Sequence, residues 1–238
     1  MYNKIGLFKE TDKMSSLVSE YYDILLIINR FGISLGFEDK CIKRVCCENN
    51  CDTHTFLTVV NMILANPDIK YEPDLDLVDL PTLIRYLLAS HSYYLEFRLP
   101  NIRKNLEEAI AETNEGLKIS IIKYFDEYVD EVRKHLAYEE NRVFPYVNSL
   151  IDNKPNVNGY NIDIFSKAHG NIEDKLNEFK NIIIKYYPEK NTNKLNLVLF
   201  EILNCSHDLT NHHIVENDLF IPMIRKFEKM QAQNGGEL

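Results

Sequence analysis

The chain has 238 residues, with 27 basic and 36 acidic side chains and a formal net charge of −9. An acidic chain without a basic cluster argues against nucleic acid or an anionic membrane surface as its main partner. With 45% hydrophobic residues it can bury one good-sized core and a small appendage, and only 8 Gly and 8 Pro point to helices with few turns. No run of 18 apolar residues occurs and MYNKIGLFKETDK has no apolar signal core, so a soluble, non-exported, cytoplasmic protein is expected.

In chain order, residues 13–31 carry LVSEYYDILLIINRF with apolar positions at helical spacing, ended by Gly32. Two shorter helices are expected between about 39 and 65, the second with Asp52 or Thr53 as N-cap. His54 falls here, read as a cap-region or surface histidine. Five cysteines, an odd number, fit a reducing compartment better than a disulfide framework. Cys41, Cys46, Cys47 and Cys51 cluster but lack paired C-x-x-C arms. Buried small side chains with an incidental exposed thiol is favoured over a zinc site.

The Pro- and Asp-rich segment 66–81 reads as a linker between a small helical domain, 1–65, and the main one. The first unit is expected to be separable from the second. After Pro81 come four long helical patterns, about 81–111, 116–150, 160–187 and 193–230, separated by ETNEG, DNKPNVNG and PEKNTNK. Short connections between four long helices predict an antiparallel four-helix bundle over 81–230 within an all-α chain. The tail, 231–238, is expected to be disordered.

One stretch returns within the bundle. His135–Pro145 reads HLAYEENRVFP and His212–Pro222 reads HHIVENDLFIP. Each has Glu four residues after the histidine (Glu139, Glu216) and Pro ten after it. Four residues are about 400° of helix and roughly 6 Å of rise, so imidazole and carboxylate share a face. His91 and His169 stand in the other two helices. The separations 91 to 169 and 135 to 212 are 78 and 77 residues, so the bundle reads as an internal duplication.

Each half then donates two His and one Glu. Imidazole and carboxylate without thiolate suit iron or manganese, and six ligands are too many for one open site. Two metals bridged by Glu139 and Glu216 are expected, with His91, His135, His169 and His212 as terminal ligands. Neighbours weigh less: the repeat selects His212 over His213, Glu173 reads as a surface position, and His207 lies about 140° around the helix. Tyr93, Tyr94, Tyr138 and Tyr160 are candidate pocket liners.

Together with YLLASHSYYLEFRLP around His91 and FSKAHGNIEDKL around His169, these repeats resemble the hemerythrin-like (HHE cation-binding) domain. The chain is most similar to the repair-of-iron-centres branch, and RFGISLGFEDKCIKRVCCENNCDTHTFLTVVN resembles that branch's small helical domain. The resemblance implies a non-haem di-iron centre, with manganese or zinc as possible substitutes, on His91, His135, Glu139, His169, His212 and Glu216. It implies work in nitrosative and oxidative stress, mending iron–sulfur clusters, with NO, O2 and damaged iron–sulfur proteins as partners and a possible homodimer.

Two departures stand out. The family's adjacent cysteine pair falls on Gly36 and Phe37. His91 lies nine residues before Pro100 where some members have eight, a place held here by Ser92, so a small helix rotation or one ligand fewer is expected. Three functions follow from the resemblance. They are a redox enzyme acting on NO, oxygen species or damaged clusters, an O2 or NO binding module without turnover, and an iron donor. Oxygen-carrying hemerythrins use one more histidine, and none in the sequence stands obviously at that level.

Overall fold

The computed structural model describes residues 7–64, 71–152, 154, 159–168, 172–187 and 193–234. The fold is all-α; outside helices, Lys13 and Cys41 form an isolated β-bridge. Contacts divide the chain into two compact units, Met1–Ser90 with Ile214–Lys226, and His91–His213 with Phe227–Leu238.

The first unit begins with α1 (Met14–Glu20) and α2 (Ile24–Arg30), where one helix was expected. Tyr21 breaks it: its backbone is extended and its ring stands edge-on to Phe8 at 5.9 Å. Gly32, at φ +71°, lets the Ile33 amide donate back to Ile28 and closes α2 with both isoleucines buried. Then come α3 (Ile42–Glu48) and α4 (Thr53–Leu64). Asp52 is the N-cap of α4, accepting from the Thr55 amide at 2.7 Å. Asp79 does the same for α5 (Leu80–Ser92), accepting from Thr82 at 2.9 Å, with Pro81 in the first turn.

Residues 66–81 were expected to separate two domains. Within the first unit, aromatic packing runs past that segment. Phe31 meets Phe56 edge-on at 5.3 Å and stacks on Tyr86 of α5 at 4.7 Å. The Asp79 amide donates to Thr55 at 2.8 Å, and Tyr71 donates to Thr58.

In the second unit α6 (Leu99–Ala109), α7 (Glu115–Tyr138), α10 (Ile172–Tyr186) and α11 (Asn193–Val215) surround one apolar core. Leu99, Ile102 and Leu106 on α6, and Phe125, Tyr128, Val132 and Leu136 on α7, recur every three or four residues and are buried. Between them in sequence are α8 (Phe144–Ile151) and α9 (Ile162–Ala168), and α12 (Ile221–Asn234) closes the chain. Cross-links show the helix directions. Tyr124 binds Glu178 and Glu131 pairs with Lys175, so α7 and α10 run oppositely. Tyr94 donates to the Asp208 carbonyl and Arg98 to that of Glu201, so the α6 run opposes α11. Burial and the Glu178 carboxylate push the Tyr124 phenol up to about 12.

Three of the long runs contain a wider turn that periodicity did not predict. Segment π1 (Tyr93–Arg98) joins α5 to α6, π2 (Glu139–Val143) joins α7 to α8, and π3 (Glu216–Phe220) joins α11 to α12. Proline causes each. Pro100, Pro145 and Pro222 have no N–H, and in an α-helix each ring would strike the carbonyl four residues back. Inserting a residue widens the turn and relieves the clash. The amide just before each proline then bonds five residues back: Leu99 to Tyr94, Phe144 to Glu139, Ile221 to Glu216.

A chain starting near Asp79 would uncover Tyr86, which is fully buried against Phe31. Its thermal midpoint should fall below that of the full chain, and Phe31→Ala alone should cost about 3 kcal/mol in urea unfolding. Equal stability of the shortened and full chains would support the expected independence of residues 1–65.

Candidate metal centre

Two of the prolines act directly on the site. Glu139 and Glu216 are the first residues of π2 and π3, each six positions before its proline. A carboxylate one α-turn after its histidine is therefore held where the helix begins to widen. The first run differs: six positions before Pro100 stands Tyr94, fully buried, its ring edge-on to His212 at 5.8 Å. His91 lies three residues earlier. The anticipated register problem is absorbed in π1, which is six residues long where π2 and π3 have five. His91 is buried and Ser92 is exposed.

Two groups of side chains converge. His91, Glu139, His212 and Glu216 bring one ligand atom each within 4.8 Å of one another, and all four are buried. His135, His213 and Glu216 form a second such group. Glu216 is common to both, standing one turn beyond His212 and His213 on the same helical run. Glu139 also has an oxygen for each side, with Oε2 3.1 Å from His91 Nε2 and Oε1 2.6 Å from His135 Nε2. His91 and His212 have ring centroids 5.4 Å apart, and His135 and His213 are 6.1 Å apart.

His213 joins the second group beside Glu216. The repeat favoured His212, four before Glu216, but on a helix three and four residues back share one face. Both histidines are buried, and they serve different groups. His169 lies outside the described residues, as does the side chain of Glu173. His207 is exposed, its Nε2 3.5 Å from Asn211, and His54 is half-buried on α4. Cys46 and Cys51 are buried, Cys47 is exposed and Cys41 is intermediate. The hydrogen bond with Cys51, together with burial, pushes the Cys46 thiol up, away from the thiolate form. Among the candidate tyrosines Tyr94 is buried at the site. Tyr138 is exposed and shares a 3.3 Å hydroxyl contact with Tyr160, while Tyr93 packs on Tyr94.

The donor set fits divalent metal. Glu139 and Glu216 are each 1% exposed, and buried carboxylates need compensating positive charge. Neighbouring ligands of an octahedral ion with bonds of about 2.1 Å stand about 3.0 Å apart. The 3.1 Å between His91 Nε2 and Glu139 Oε2 is close to that spacing, and the 2.6 Å between His135 Nε2 and Glu139 Oε1 is shorter than it. Nitrogen and oxygen donors without sulfur suit iron or manganese.

Residues 82–224, more than half of the chain, match the family described as the Hemerythrin HHE cation binding domain. The chain belongs to that family. No curated protein matches it. Among the described residues no helix is long and apolar enough to cross a membrane.

If the carboxylates are shared, Glu139→Ala and Glu216→Ala should each lower occupancy at both metal positions, whereas His213→Ala should lower one. Metal stoichiometry of each purified variant checks this. A glutamate variant that keeps two metals would contradict sharing.

Proposed function

We propose that this chain is a non-haem di-iron protein of the iron–sulfur cluster repair type, acting in nitrosative and oxidative stress. The observation that carries the reading is the pair of adjoining His/Glu groups with Glu216 in common. His91 and His212 would hold one iron, and His135 and His213 the other, with His169 a further ligand from the sequence repeat and Glu139 and Glu216 between them. Two irons there would supply open coordination positions at which NO or O2 species can bind and take up electrons. The chain's own part is to keep the ligands fixed and water out. Tyr94 and Phe144 lie against the imidazole rings, and Leu136 and Val143, neighbours of the ligands in sequence, are buried. Iron donation to damaged clusters is a variant of the same reading.

A second reading is favoured by one residue. Oxygen-carrying hemerythrins use one more histidine than the four read from the repeats, and His213 stands in the second group. That supports a module that binds O2 or NO without turnover.

Iron-replete protein should contain two irons per chain. Anaerobic titration of the reduced protein with NO separates the readings. Release of nitrous oxide supports the redox function, and a stable adduct supports the binding module. One zinc per chain, or no metal after iron-replete expression, would contradict both.

A further inference from the structure

We infer that Glu140 is a positioning residue for this centre, holding the His91 ring by Nδ1 so that Nε2 faces the metal position beside Glu139. The inference rests on the di-metal reading above. Glu140 Oε1 lies 2.9 Å from His91 Nδ1, on the opposite side of the ring from Glu139. Phe144 stacks on the face of the same ring, at 5.6 Å between centroids and 24° between planes. His91 is thus held at Nδ1 and on one face by Glu140 of π2 and by Phe144, the position just after it.

The chemistry follows from the tautomer. A carboxylate at Nδ1 accepts its N–H and leaves the Nε2 lone pair free for a metal. With a metal between Nε2 and Glu139 Oε2, this tautomer sets neither lone pair against a bare carboxylate, whereas the opposite one would set the Nδ1 lone pair against Glu140. An anionic partner also makes the imidazole a stronger donor, and such outer partners typically contribute roughly 10- to 100-fold in metal affinity. The proline-induced π turn aids this placement. It carries Glu139 and Glu140, adjacent in sequence, to the two nitrogens of one ring.

The second copy of the repeat has Asn217 where the first has Glu140. A neutral amide cannot supply the same charge. The two half-sites therefore differ, and the metal on His91 is the one that Glu140 tightens.

The test uses full-length apo-protein titrated with cobalt(II), followed by the visible absorption of bound cobalt in competition with a chelator. Glu140→Ala should weaken one of two cobalt steps by roughly 10- to 100-fold and leave the other unchanged. Glu140→Gln, which keeps an acceptor oxygen, should weaken it less. In His91→Ala, where that step is already impaired, adding Glu140→Ala should change nothing further. Glu140 is 41% exposed, so the apo forms of Glu140→Ala and Glu140→Gln should unfold close to the parent's temperature. Parent-like binding by Glu140→Ala, or equal additional loss in the His91→Ala background, would overturn the inference alone. A parent that takes up no cobalt would overturn the di-metal reading and this inference with it.

Discussion

Two carboxylates buried among imidazoles and apolar side chains impose the constraint on which this structure depends. Taking an ionised carboxylate out of water costs several kcal/mol even after relaxation, unless positive charge compensates it. Glu139 and Glu216 are as buried as the leucines around them, and each stands between histidines from more than one helix. Cations at these two groups would offset the cost and bring binding energy to the fold. The cross-links between α7 and α10, and between α6 and α11, hold the surrounding helices in register.

Proline gives the site its local geometry. A straight α-helix would carry His135, Glu139 and Phe144 past the site at 100° per residue. The π turns started by Pro145 and Pro222 delay that rotation where the carboxylates emerge. In the first run the same device is displaced. Tyr94 takes the carboxylate's place before Pro100, and a longer π segment accommodates His91. A widened turn replaces the expected helix rotation.

Much of this could be read in the sequence because helical periodicity and ligand spacing are both local. The ends of the four long runs, the Asp52 cap and the His-x-x-x-Glu repeats all follow from residues close in the chain. Other features depend on partners distant in sequence. The Tyr21 break needs Phe8, and the extension of the N-terminal core past residue 66 needs Phe31 on Tyr86. His213 was lost because the repeat alignment allowed one histidine per turn, although three- and four-residue spacings reach the same face. Glu140 was invisible for a related reason: its partner lies 49 residues away on another helix. The π turns did leave a signal, a proline ten residues after each paired histidine, which pattern reading took only as part of the repeat.

Thermal unfolding of the apo-protein and the iron-loaded protein, side by side at neutral pH, tests the central claim most directly. If the buried carboxylates depend on metal for compensation, the loaded protein should unfold at a clearly higher temperature, and added iron should restore the apo-protein to that value. Equal midpoints, with iron confirmed in one sample and absent from the other, would contradict the account, because iron bound among these side chains cannot leave the stability of the fold unchanged.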